Sequence, residues 1–390
     1  MLRRLGFAVL MIGLPLAALF ARRGIVLLFP IGAALLVIAA ALDGSARNLR
    51  TSLEQLATST GVAAAAFAFG WAALSITWAP LPAVSAERLL AIGGNLLVGL
   101  AAYLALPERM RAANLYLLPI GAGATALVVL AMSWTGLATR LEVDEDGRSL
   151  ERGLSLLVLV LWPAIAWLRS RDRDREAVAV VVAVCAATLF APQSFASVAL
   201  SVGALAYVAT TLAGRHAALA VGVVMAAIIL VAPIIPALLL TVLGRPAVPP
   251  GSWLEAVSAW GVTVGSDPLR LLTGQGFGTL LRARLAGLVP AATPDVPLVQ
   301  IWYDLGAVGA VSIAAALVGG AAGAARSYAP LLPGVTAAFA SAFAMSCIGI
   351  GSTQAWWPAA LAVVGLLFVA EERGQFRTRR PRAALAVPPR

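Results

Sequence analysis

The chain has 390 residues, of which 61% are hydrophobic and only 12% charged. A soluble domain carries about twice that charged fraction, so a water-soluble globular protein is excluded. The net charge of +10 is no sign of nucleic acid, because the 28 basic residues, all arginine, gather at the ends of apolar runs and in the tail.

Apolar runs of about 20 residues, each long enough to cross a bilayer, recur from end to end. They predict an all-α, polytopic helical membrane protein of about twelve spans with one long periplasmic loop. The spans fall at 5–20, 24–42, 61–78, 88–106, 112–134, 153–168, 177–191, 195–213, 217–243, 297–323, 331–350 and 355–370. The first run, Leu5–Phe20, has a basic start at Arg3 and Arg4 and is followed at once by Arg22, Arg23 and more apolar sequence. It therefore reads as a retained span and not as a cleaved signal. The organisation is an N-terminal bundle at 1–243, a loop at 244–296, C-terminal helices at 297–370 and a basic tail at 371–390.

Arginines set the orientation. Arg47 and Arg50 follow the second span, Arg109 and Arg111 the fourth, RSRDRDRE (169–176) the sixth, Arg215 the eighth and Arg326 the tenth. With the tail ERGQFRTRRPR (372–382), they fall on one side, which the arginine bias assigns to the cytoplasm together with both termini. Arg22 and Arg23 fall on the other side.

That other side carries TWAPLPAVSAER (77–88), the acidic TRLEVDEDGRSLER (139–152) and the long loop. Among short connections, a loop of some fifty residues marks function. Inside it, Trp253, Val257, Trp260 and Val264 share one helical face. Such a helix lies along the membrane surface or packs on the bundle. In SDPLRLLTGQGFGTLLRARL (266–285), Gly274, Gly276 and Gly278 follow no strand, so they predict a turn between short surface segments and no dinucleotide site. Cys185 and Cys347 sit inside apolar runs as small hydrophobes, so neither a disulfide nor a metal site is expected. His216 is the single histidine.

Two acids interrupt ATPDVPLVQIWYDLGAVGAV (292–311): Asp295 just before the apolar run and Asp304 within it. Asp304 stands one turn after Gln300, and an acid there is expected to face the bundle interior and an arginine or a backbone donor. Gly306, Gly309, Gly319, Gly320 and Gly323 would allow close helix packing.

Several stretches together carry a family resemblance. SITWAPLPAVSAERLL (75–90) resembles the W-S-x-P loop after an early span of the O-antigen ligase and polymerase superfamily. RSLERGLSLLVLVLWPAIAWL (148–168) is similar to its N-R-G…W-P-A span, and PQSFASVALSVGALAYV (192–208) to its serine-bearing middle span. PLRLLTGQGFG (268–278) resembles its P-L-x-G-x-G-x-G stretch, PDVPLVQIWYDLGAVGA (294–310) its H-P-H-N…L-Q-x-W-x-E-L-G-x-x-G-A signature, and GIGSTQAWWPAAL (349–361) its closing span. The resemblance runs in order from about residue 60 to 370. It implies a bacterial inner-membrane enzyme of envelope polysaccharide assembly, needing neither metal nor other cofactor. Such an enzyme moves a glycan from undecaprenyl diphosphate, on the periplasmic face, to a lipid or glycan acceptor, with inversion. The partners implied are that lipid-linked glycan, the acceptor and membrane lipids.

The signature's loop histidine is replaced. Aligned on Pro294, Gln300, Trp302, Gly306 and Gly309, its position holds Asp295; the earlier histidine position holds Thr293 and the asparagine position Val296. The family's arginine before a loop tryptophan is also missing, and WLEAVSAW (253–260) offers only Glu255.

The leaving diphosphate would need arginines, whose planar fork matches phosphate oxygens. The outer-side candidates are Arg88, Arg148, Arg152, Arg270, Arg282 and Arg284. Arg152 stands at the N-R-G arginine and Arg270 before the glycine turn. Arg148 and Arg152 could instead pair with neighbouring acids, and Arg282 and Arg284 could meet lipid headgroups. Asp295 is the candidate base: a carboxylate is weaker than imidazole but is ionised at neutral pH. Alternatively it caps a helix starting near Pro297. Gln300, Trp302 and Asp304 would line and build the site. A non-catalytic relative that binds lipid-linked glycan, or a transporter, is the competing reading.

Overall fold

The computed structural model describes residues 1–21, 23–44, 58–108, 110, 112–137, 149–191, 195–242, 253–267, 269–326, 329–349 and 355–375. Helices are the regular structure among the described residues, with no strand among them. In chain order the helices are α1 Leu2–Phe20, α2 Gly24–Leu42, α3 Thr60–Trp78, α4 Pro82–Ala105, α5 Ala112–Trp134, α6 Ser149–Arg169, α7 Asp174–Phe190, α8 Ala196–Val231, α9 Ile235–Val242, α10 Trp253–Ser266, α11 Arg270–Thr273, α12 Leu280–Leu285, α13 Pro297–Ala324, α14 Ala329–Ile348 and α15 Trp356–Gly374.

Nine of these are long and apolar enough to cross a membrane: α1 to α6, α8, α13 and α14. The chain is thus a multi-pass helical protein. α7 has 17 residues and is short for a crossing. α8 is 36 residues long but is broken at Gly214, where φ is 54° and ψ −133°. α15 ends in charged residues and runs past 370, so Glu371 and Arg373, read from sequence as tail, are helical and buried.

α6 is the central post. Every residue from Gly153 to Leu168 is buried, as expected of a helix that is apolar on all faces. Its one buried polar group in this region that crosses between helices is the Trp162 indole, which donates to Ser341 Oγ at 2.9 Å; Ser341 in turn donates to the Ala199 carbonyl at 2.9 Å. Gly203 of α8 lets this node close, since a Cβ there would sit 2.5 Å from the Trp162 ring. In lipid such small-residue approaches and interhelical hydrogen bonds replace the hydrophobic effect as the packing force.

The helix ends sort into two groups. At one end, Arg3 pairs with Asp43 at 3.0 Å, the Met110 amide donates to the Arg373 carbonyl at 3.1 Å and Arg171 donates to the Gly374 carbonyl at 2.7 Å. At the other end, Phe277 meets Ser75, Trp302 meets Ile229 and Gly349 lies beside Val296. The start of α1 and the end of α15 therefore share the end opposite the glycine-rich loop. Arg169, Arg171, Arg173 and Arg175 lie at that same end, between α6 and α7. Arg22, Arg47, Arg50, Arg109, Arg111 and the tail beyond residue 375 lie outside the described residues.

The glycines of α13 behave differently from one another. Gly319 crosses Gly61 of α3 so closely that a Cβ on Gly319 would stand 2.5 Å from the Gly61 Cα, whereas Gly323 faces nothing within 4 Å and packs no neighbour. Gly319→Ala is expected to cost about 1–3 kcal/mol through overpacking, and Gly323→Ala to stay within about 0.5 kcal/mol of the parent. Thermal unfolding of the two variants in detergent checks this; equal melting temperatures would contradict the crossing.

Candidate functional site

The site is built where α13 breaks. Residues 301–305 form a widened helical turn, and Gly306 then takes φ 64°, ψ −162°, a left-handed-side conformation that disfavours a side chain. A Cβ at Gly306 would also stand 2.6 Å from the Gly274 nitrogen. The break withdraws three carbonyls from the helical ladder, and each finds a partner outside it. The Tyr303 carbonyl accepts from the Gln275 amide at 2.8 Å and the Asp304 carbonyl from the Gly276 amide at 3.0 Å. The Leu305 carbonyl accepts from the Trp71 indole at 2.9 Å. Backbone groups buried at membrane depth must be paired in this way.

The Asp304 side chain completes the join. It is 3% exposed. Its Oδ2 accepts from the Gly278 amide at 2.8 Å, and its Oδ1 from the Thr279 amide at 3.1 Å, the Leu280 amide at 3.0 Å and the Thr279 hydroxyl at 3.1 Å. Of the two partners expected for this acid, the structure uses backbone donors and no arginine. GQGFGT is thus a cradle of backbone N–H groups, filled by the protein's own carboxylate and not open to a phosphate.

The glycine loop is held from the α3–α4 side as well. Phe277 N–H donates to Ser75 Oγ at 3.1 Å, the Trp78 indole to the Gly274 carbonyl at 3.3 Å and Arg88 Nη1 to the Gly278 carbonyl at 3.4 Å. Gly276 abuts Ala79, leaving no room for a side chain. Upstream, α10 packs on the bundle through Trp260, whose indole donates to the Ala232 carbonyl at 3.1 Å. Of the two placements open to this helix, packing on the bundle is the one observed. Trp302 donates to the Ile229 carbonyl at 2.7 Å and so ties α13 to the end of α8. The Trp253 side chain lies outside the described residues.

On this platform the candidate residues take definite places. Asp295 is half-buried ahead of α13, and its Oδ1 accepts from Gln300 Nε2 at 2.6 Å. It does not cap the helix: Val296 is the N-cap, without a side-chain cap bond. Just before it, Thr293 is fully buried, with its hydroxyl 3.3 Å from that of Thr263 and its carbonyl accepting from Arg284 Nη1 at 3.1 Å. Arg270 is exposed beside a small notch shared with Asp267, Gln275, Trp302 and Tyr303. Neither the Arg270 nor the Arg282 guanidinium has a hydrogen bond or ion pair among the described residues. Arg152 lies in the first turn of α6, at its loop-side end, next to Gly153, which packs on Leu19. Arg148 and the acids at 142–146 lie outside the described residues.

Beside the site an apolar groove of about 400 Å³ runs between α8, α13, α14 and α15. Pro297, Ile301 and Trp357 line its loop end, and Ala324, Thr336 and Phe368 its opposite end. The amino-acid pattern gave no warning of this groove, nor of the Thr263–Thr293–Arg284 contacts. It also missed Glu371, a carboxylate that is 0% exposed and whose oxygens have no hydrogen-bond partner among the described residues. No group of three or more potential metal ligands occurs among the described residues.

Comparison with known protein families, with curated proteins and with solved structures finds no match.

Asp304→Ala would strand three backbone donors in a water-poor site, a loss of roughly 3–5 kcal/mol. Amides 275–280 are then expected to exchange hydrogen at least ~100-fold faster, that factor corresponding to about 3 kcal/mol. Hydrogen–deuterium exchange read by mass spectrometry tests this, and unchanged protection of 275–280 would contradict the clamp.

Proposed function

We propose that this chain is a membrane-embedded glycan transferase of the O-antigen ligase or polymerase type. It crosses the bacterial inner membrane about twelve times with both termini in the cytoplasm, and works on the periplasmic face. Its donor is a saccharide on undecaprenyl diphosphate, and its acceptor a hydroxyl of a lipid or glycan. One juxtaposition carries the reading. An apolar groove reaches Pro297 of α13, two residues from Asp295, and the same helix, through Asp304, clamps the loop that bears Arg270 and Arg282. A greasy chain, an anionic headgroup and a hydroxyl would each have a complementary surface there.

In the transfer, the acceptor hydroxyl oxygen attacks the anomeric carbon from the face opposite the diphosphate. The bond from that carbon to the phosphate oxygen breaks, and its electron pair leaves on undecaprenyl diphosphate. The hydroxyl proton passes to Asp295. Arg270 and Arg282, with Arg88 and Arg152 as further candidates, stabilise the charge on the leaving group. Gln300, Trp302 and Asp304 keep the platform in place.

A second reading has its own observation. One oxygen of Asp295 is already engaged by Gln300, which suits a relative that binds lipid-linked glycan without turning it over. The test is the lipopolysaccharide and exopolysaccharide profile of a deletion strain complemented with variants of equal membrane abundance. The transferase reading expects Asp295→Ala to lower product by roughly 10²–10⁴-fold, with losses for Arg270→Ala and Arg152→Ala. Full function of Asp295→Ala alongside failure of the arginine variants would select the binding reading. A wild-type profile in the deletion strain would reject both.

A further inference from the structure

We propose that Gln300 is a positioning residue that fixes one oxygen of Asp295 and leaves the other for the acceptor proton; this rests on the reading of Asp295 as the base. Gln300 is 7% exposed, yet only its nitrogen is satisfied. Nε2 donates to Asp295 Oδ1 at 2.6 Å, while Oε1 is buried with no hydrogen-bond partner among the described residues. An unsatisfied buried amide carbonyl destabilises a fold. A methionine of similar length would fill the same space without that cost. What methionine cannot do is donate a hydrogen bond to a carboxylate. The side chain is therefore explained by its hold on Asp295 and not by packing.

The amide's orientation is also determined. Turned over, it would set two acceptor oxygens 2.6 Å apart, so the nitrogen must face Asp295. With Oδ1 engaged, Oδ2 is the oxygen available to the acceptor hydroxyl, and no donor to it occurs among the described residues. The segment carrying Asp295 is held from both sides. Two residues earlier, Thr293 is anchored by Arg284 and Thr263. Two residues later, Pro297 opens α13, behind Val296 in an extended conformation. Gln300 sits on the first turn of that helix, so its reach to Asp295 is set by a regular element. During transfer Gln300 makes and breaks no covalent bond and carries no proton; it keeps the accepting oxygen in line.

The test pairs activity with stability in the full-length protein. Gln300→Met is expected to melt in detergent at or above the parent temperature. In the complemented deletion strain, which supplies its own lipid-linked glycan, the same variant should transfer roughly ten- to hundred-fold less. Gln300→Asn, too short to span the gap, should not rescue. The double variant Gln300→Met/Asp295→Asn should transfer no less than Asp295→Asn alone, since the amide acts only through the carboxylate. Gln300→Met with wild-type transfer while Asp295→Asn is inactive would overturn the positioning role and leave the base standing. Additive losses, with melting temperature and transfer falling together, would reduce Gln300 to a packing residue. Wild-type transfer by Asp295→Asn would remove the base itself, and the proposal with it.

Discussion

A carboxylate buried inside a membrane-embedded bundle is costly, by several kcal/mol even after relaxation. Asp304 bears that cost because four donors of the glycine loop converge on it. Hydrogen bonds to a charged acceptor are roughly twice as strong as neutral ones. The same residue lies in the widened turn that ends at Gly306, whose backbone break frees carbonyls for the adjacent loop amides. The break in α13 and the docking of the loop are therefore one structural event. Neither is satisfied without the other, because each supplies what the other leaves unpaired.

This join decides how the loop end of the protein is presented. Residues 270–284 are not a free flap over the bilayer; they are stitched to α13 through Asp304 and to the α3–α4 corner through Ser75 and Trp78. The arginines of that stretch are consequently carried on a base fixed to α13, the helix that also lines the apolar groove. Preorganisation of this kind matters most for charge, since donors already in place need no rearrangement when a leaving group becomes anionic.

The amino-acid pattern revealed the parts that depend on local periodicity. Apolar runs located the helices, and the clustered glycines of 274–278 announced a sharp turn. Asp304 was recognisable as an anchor because an acid in an apolar run needs a partner. Its particular partners were hidden, since Gly278 lies 26 residues away and the choice between arginine and backbone is made only when the loop folds back. The four-residue spacing of Trp253 and Val257 and of Trp260 and Val264 told of a helix but not of its neighbour, because membrane surface and protein surface reward the same apolar face. Glycine spacing likewise could not separate Gly319, pressed on Gly61, from Gly323, which meets nothing. The groove, the hold of Gln300 on Asp295 and the buried Glu371 arise from tertiary contacts that no periodicity encodes.

The central claim is that the groove and the arginine-bearing loop grip one molecule, the chain in the groove and the headgroup at the loop. A photoactivatable polyprenyl diphosphate, cross-linked to the purified protein and mapped by peptide mass spectrometry, tests it most directly. The account predicts labelling of α13 and α14 at residues such as Ile301, Leu317 and Phe339, suppressed by undecaprenyl diphosphate, insensitive to undecaprenol and weakened by Arg270→Ala. Labelling spread evenly over the lipid-facing helices, or unaffected by the diphosphate competitor, would contradict it.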